Sequence, residues 1–193
     1  RIALGCNWMS IPGREYTLND TVKINLMKVF EVAFNEIADS GKFSLGALHK
    51  CYQKHLARAA FCIAEGLDFH LAHQYRNEPE LLLNLLCYGP IEKGRDASHG
   101  GVDFYNMCCD GAGLAVVADS FAALQTQVVE RKRITWRECV EAVHSDFRNE
   151  NGEQIRRLLA SSPRFGHGGT CADEWAVTLT YDFAEAFPNG RRT

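Results

Sequence analysis

No C-x-x-C pair occurs in this chain, although eight of its 193 residues are cysteine. That excludes a zinc ribbon and a thioredoxin-type dithiol, which both need paired sulfurs at that spacing. No G-K-[ST] follows a glycine-rich turn. Asp110 to Gly113, "DGAG", opens a helical pattern but lacks a third glycine and a preceding apolar strand, so nucleotide binding is not indicated. Apolar runs are short and broken by polar residues, which excludes a membrane span. The opening "RIALGCNWMS" lacks the apolar centre of a signal peptide. Basic charge is also scarce: 21 Lys and Arg stand against 24 Asp and Glu, a net charge of −3, which excludes a nucleic-acid footprint. There is no internal repeat, low-complexity tract or linker. Residues 1–193 therefore read as one unit. The first residue is Arg rather than Met, so the expectation is that something precedes it in the natural protein.

What is present is ordinary for a soluble globular protein: 46% hydrophobic and 23% charged residues. The unpaired spacing of the cysteines fits a reducing cytoplasm. Several of them sit in apolar helical patterns, where the thiol acts as a small hydrophobe.

The periodicity predicts about seven helices. The first runs through "NDTVKINLMKVFEVAFNEIADSG", with Asn19 or Asp20 as its cap and Val22, Leu26, Val29, Phe30, Ala33 and Phe34 as its apolar stripe. Ser44 caps a long helix to about Tyr75, which Gly66 is expected to bend or break. A short helix follows Pro79. "GLAVVADSFAALQTQVVERK" is strongly helical, Thr135 caps "WRECVEAVHSDF", "NGEQIRRLLAS" is short, and "ADEWAVTLTYDFAEAF" is the last helix. Residues 89–113 differ. They are glycine-rich and irregular, with "VDFYNM" as the single strand candidate in that stretch.

Chemistry has few candidates. His70 and His73 share a helix face but lack a third ligand nearby, and Glu65 and Asp68 read as solvent-facing charges. Cys108-Cys109 is an adjacent pair in the glycine-rich segment, read as packing rather than reactive sulfur. Cys6 is the sharper candidate. It follows Gly5, which permits a tight loop tip, and a thiol there can do chemistry that a helical core thiol cannot. The residues alone leave a buried, unreactive thiol open.

Four segments in series then carry a resemblance. "GCNW" followed by "KINLMKVFEVAFNE" is similar to a cysteine loop and its Asn-Leu-x-Lys-x-x-Glu helix. "EKGRDASHGGVDFYN" is similar to a Gly-x-Asp…Gly-Gly-x-x-Tyr-Asn stretch. "GLAVVADSFAALQTQVVERK" is similar to a Gly-(Ile/Leu)-x-x-x-x-Asp-Ser-(Leu/Phe)-Ala-Ala helix. "LASSPRFGHGGTCADEWA" is similar to a Pro-Lys-(Tyr/Phe)-Gly-Asn-Asp…Asp pattern. In that order they resemble the glycyl radical enzymes, the pyruvate formate-lyase family.

The resemblance implies an α/β protein, of which this chain is a mostly helical segment of a ten-stranded barrel. It implies that Cys6 is the catalytic residue whose thiyl radical takes hydrogen from a small organic substrate, cleaving or forming C–C or C–X bonds. It implies a glycyl radical on a glycine outside this chain, installed by an S-adenosylmethionine iron–sulfur activase, no bound metal or other cofactor, a homodimer as the full-length enzyme, and a cytoplasmic setting. Two departures stand out. Members that eliminate water, amine or sulfite have Cys-x-Glu, whereas this chain has Trp8, read as a substrate-contacting aromatic wall, and no acid until Glu15. The Arg-Val-x-Gly-(Tyr/Phe) glycyl loop is also missing, so the chain reads as an interior segment, and a non-catalytic relative or partner-binding helical module is the alternative.

Overall fold

The computed structural model describes residues 2–4, 8–17 and 22–187. The chain divides into two compact units. One comprises Arg1–Ile24 and Phe61–Asp110, the other Asn25–Ala60 and Gly111–Thr193. The strands fall mostly in the first, with irregular turns; helices make up most of the second.

In the first unit, β1 (Ile2–Leu4) and β2 (Trp8–Ser10) are antiparallel, with Leu4 opposite Trp8. β3 (Glu15–Thr17) pairs in parallel with β5 (Phe104–Asn106), with Tyr16 opposite Tyr105. The core gathers Tyr16, Ala97 and Val102, against which Leu71, Leu83, Cys87 and Met107 pack. Leu71 comes from the later part of α2 (Leu45–Asn77), which is one unbroken helix. Gly66 does not break it, because one glycine costs only about 1 kcal/mol in a helix whose other turns hold it. α3 (Leu81–Leu86) and the single turn α4 (Pro90–Lys93) follow. The face of α3 and its surroundings is apolar and open: Leu81, Leu82, Leu85, Leu86, Tyr88 and Ile91 are all exposed.

β4 (Val22–Asn25) corrects the expected helix start. Residues 22–25 are extended and pair with β6 (Cys109–Ala112). The helix α1 (Leu26–Ser40) begins only after Asn25, whose side chain accepts from the Lys28 N–H. An Asn at that position satisfies an orphan donor and stops the helix from extending backwards. Asn19 and Asp20, the expected caps, lie outside the described residues.

In the second unit, α1 and the early part of α2 meet α5 (Leu114–Leu124), α6 (Trp136–His144), α7 (Gly152–Ala160) and α8 (Cys171–Ala186). Ala118, Ala122, Ala172 and Ala176 are buried, and such small side chains let α5 and α8 approach closely. Phe121 lies at the centre, stacked on Trp175 at 4.4 Å and edge-on to Phe30 at 5.1 Å. After Leu124 the helix widens into a turn over Gln125–Glu130, where the Arg131 N–H reaches back to the Thr126 carbonyl. Thr135 and Thr170 cap α6 and α8 with reciprocal bonds to Glu138 and Asp173. Among the described residues no helix is long and apolar enough to cross a membrane.

Candidate active-site region

Gly5, Cys6 and Asn7 connect β1 to β2 and lie outside the described residues, so the expectation for Cys6 falls there. Trp8 heads β2, and only its backbone is described. Immediately after it, β2, β3 and β5 border an open cavity of about 390 Å³ in the first unit, lined by Met9, Ile11, Glu15, Phe104, Tyr105, Asn106 and Cys108. Four of those residues come from a stretch about ninety positions further along the chain. Asn106 joins the two regions: its amide donates to the Met9 carbonyl at 2.9 Å, while its own carbonyl accepts from the Thr17 hydroxyl at 2.9 Å.

Glu15, the first acid after Cys6, therefore does face a cavity beside β2. One of its carboxylate oxygens accepts from the Ile11 N–H at 2.9 Å and closes the turn that leads out of β2. Cys108 is half-buried rather than fully packed, and its thiol points to Asn106 Oδ1 at 3.6 Å. Burial pushes the thiols of Cys108 and Cys109 up, with the Asp110 carboxylate adding to the effect in both. A raised thiol is a poor nucleophile, in keeping with the packing reading of the pair.

The glycine-rich segment turns out to be a frame for this cavity. The Asp96 carboxylate accepts from the Glu80 N–H at 2.9 Å, the Asn84 amide at 2.7 Å, and the Ser98 N–H and hydroxyl at 3.0 and 2.5 Å. Burial pushes its pKa up, but these donors outweigh it and hold the carboxyl below its ordinary value. Tyr105 donates to the Ala97 carbonyl and accepts from the Gly100 N–H. A Cβ on Gly101 would stand 2.5 Å from the Arg95 carbonyl oxygen and 2.6 Å from that of Asp96, so only glycine fits there. Tyr16 lies beneath, hydrogen-bonded to Gln74 at 2.6 Å and to Glu80 at 3.0 Å; burial pushes its hydroxyl up to about 12. The residues that look chemical in "GRDASHGGVDFYN" thus hold backbone in place.

The chain belongs to the pyruvate formate lyase-like family. The family model matches residues 1–192. The chain is 27% identical over 100 residues, 51% of its length, to trans-4-hydroxy-L-proline dehydratase of Clostridioides difficile, of which the match covers 12%. It is 38% identical over 61 residues to isethionate sulfite-lyase of Desulfovibrio desulfuricans, covering 32% of this chain and 7% of that protein. In structure it is similar to the B12-independent glycerol dehydratase of Clostridium butyricum, with TM-score 0.79 and 22% identity over 90% of this chain and 23% of that one. A glycyl radical enzyme of Archaeoglobus fulgidus gives TM-score 0.79 and 23% identity over 93% of this chain and 24% of that one. The family has glycyl radical dehydratases and lyases among its members, and this chain spans about a quarter of the solved structures it matches.

Metal ligands are a separate matter. His73 donates through Nδ1–H to the Phe69 carbonyl at 2.8 Å, and His70 is exposed; neither belongs to a group of three possible ligands among the described residues. The one group of three possible ligands among the described residues was missed in the sequence: Glu36, Cys51 and His55 in the second unit. The signal was available as a Cys-x-x-x-His spacing on one helix face with an acid on the preceding helix.

Proposed function

We propose that this chain is the cysteine-bearing segment of a glycyl radical enzyme acting anaerobically on a small organic substrate. The observation that carries this reading is the family match over residues 1–192; the antiparallel pairing of β1 with β2, and the course of β2 into the segment that borders the cavity, are in keeping with it.

In this reading the Cys6 S–H bond gives its hydrogen atom to the glycyl radical. The sulfur radical then takes a hydrogen atom from a substrate C–H, which re-forms the S–H bond and leaves the unpaired electron on the substrate. After a C–C or C–X bond of the substrate breaks or forms, the product radical recovers a hydrogen atom from Cys6. Enclosure keeps water and stray hydrogen donors from quenching these steps. The relatives named above eliminate water and sulfite; Trp8 stands where such enzymes have a carboxylate, which favours chemistry needing no base at that spot. The partners are the small-molecule substrate, an S-adenosylmethionine iron–sulfur activase and a second copy of the full-length enzyme, in the cytoplasm, within a ten-stranded barrel. Trp8 also favours a second reading, a non-catalytic relative.

The test is anaerobic activation of the full-length protein that contains this segment. Cys6→Ala should keep the glycyl electron paramagnetic resonance doublet and lose turnover. Turnover surviving in that variant removes Cys6 from the mechanism. A wild-type protein that carries the doublet but consumes no member of a broad substrate panel supports the non-catalytic reading.

A further inference from the structure

The helical hairpin of the second unit carries a cluster unrelated to the cysteine loop. Glu36 lies in the penultimate turn of α1. Cys51 and His55 lie one turn apart on α2 and so project from the same face. Their ligand atoms, one carboxylate oxygen, one sulfur and one ring nitrogen, all fall within 4.8 Å of one another. His55 Nε2 is 2.7 Å from Glu36 Oε2. The other Glu36 oxygen takes Lys54 Nζ at 2.5 Å.

We propose that Glu36, Cys51 and His55 form a three-ligand site for a thiophilic divalent cation of the zinc class, which clasps α1 to α2. One sulfur, one imidazole nitrogen and one carboxylate oxygen form a borderline-soft donor set, which prefers zinc-class ions to magnesium or calcium. Ligand bonds of about 2.0–2.3 Å around a tetrahedral ion put the donor atoms about 3.3–3.8 Å apart. Closing from 4.8 Å needs a shift of about 1 Å. Glu36 can supply it, since its side chain is half in solvent and the ion would replace its bond to His55. Cys51 and His55 stand on a helix that fixes their spacing, and Cys51 is buried. The exposed side of Glu36 leaves the fourth position to a water.

The proton balance is simple. Cys51 binds as thiolate and releases one proton to solvent, His55 binds through a neutral ring nitrogen, and Glu36 is already ionised. Because the sulfur binds as thiolate, uptake is weaker in acid. Lys54 competes for the same carboxylate, and it sets the affinity lower than the three ligands alone would give.

The test uses the full 193-residue chain with cobalt(II) as spectroscopic probe, reduced and free of oxygen. Wild type should take up one ion per chain, with a sulfur-to-cobalt charge-transfer band and the strong d–d bands of a four-coordinate ion, and zinc should displace it. Cys51→Ser should remove the charge-transfer band. Glu36→Gln leaves the fold untouched, because that side chain is on the surface, and should weaken binding about tenfold or more. Lys54→Met should tighten binding, a change that sulfur ligation by the other seven cysteines would not produce. Absence of any charge-transfer band, or a band unchanged in Cys51→Ser, overturns the proposal. So does an affinity indifferent to both Glu36→Gln and Lys54→Met.

Discussion

The two compact units hold their chains by opposite means. The helical unit relies on apolar area, with Phe121 in contact with Phe30, Tyr52 and Trp175. The strand-bearing unit has a small apolar core and relies on one carboxylate, Asp96, that gathers four donors from three residues in two stretches of chain. Burial energy grows with area and tolerates small shifts, whereas a hydrogen-bonded frame fixes backbone position but fails sharply when one partner goes. The hydrogen-bonded frame lies in the same unit as the cavity between β2, β3 and β5.

Substitutions can separate the two modes. Phe121→Ala should have the largest effect on stability, about 3–5 kcal/mol, since it empties the centre of a packed aromatic cluster. Denaturant unfolding followed by Trp fluorescence would report it through Trp175. Asp96→Ala should cost about 2–4 kcal/mol, because it strands several buried donors at once; hydrogen exchange should show the loss confined to residues around 80–106, and a uniform loss across both units would erase the distinction. Gly101→Ala should cost about 1–3 kcal/mol, with neighbouring carbonyls unable to give way. Cys108→Ala is expected to cost about 1 kcal/mol or less, a value for a half-buried side chain, and to leave turnover of the activated enzyme intact. Loss of turnover without loss of stability would make Cys108 part of the chemistry.

Acid should distinguish the units as well. The folded state holds the Asp96 carboxyl below its ordinary value of 3.8. Its contribution is complete above that value and disappears as pH falls through the lower value in the folded protein. Protection of the amides around residues 80–106, measured against the intrinsic exchange rate at each pH, should therefore fall at low pH before that of α5 does. Equal loss of protection in both would show that Asp96 is not the support of its unit.

The helical unit was the legible one. α6 and α8 announce themselves by Thr135-x-x-Glu138 and Thr170-x-x-Asp173, local signals that need no tertiary information. The strands were mostly illegible, since three or four residues are too few to show alternation, and Val22–Asn25 shares its apolar content with the helix that follows. The cavity combines residues 9–15 with 104–108, and no local pattern predicts that meeting. Glu15 stood out only as the first acid after Cys6. Asp96 and Asn106 stood out as members of a motif, but whether a motif residue holds backbone or touches substrate depends on its partners, which the sequence does not display.

The parallel pairing of Glu15–Thr17 with Phe104–Asn106 has a consequence for the order of folding. A ribosome releases the first partner nearly ninety residues before the second. The hairpin of α1 and α2 lies wholly between them and can form from neighbouring contacts alone, while the strand pair must wait for a long loop to close. Pulse-labelled refolding should therefore protect the amides of Leu48 to Leu56 early and those of Tyr16 and Tyr105 late. Simultaneous protection would mean that the distant strands meet in the nucleus. Late closure would make the cavity form after the helical hairpin, so a nascent or partly unfolded chain would hold residues 9–15 before it had the wall that residues 104–108 supply.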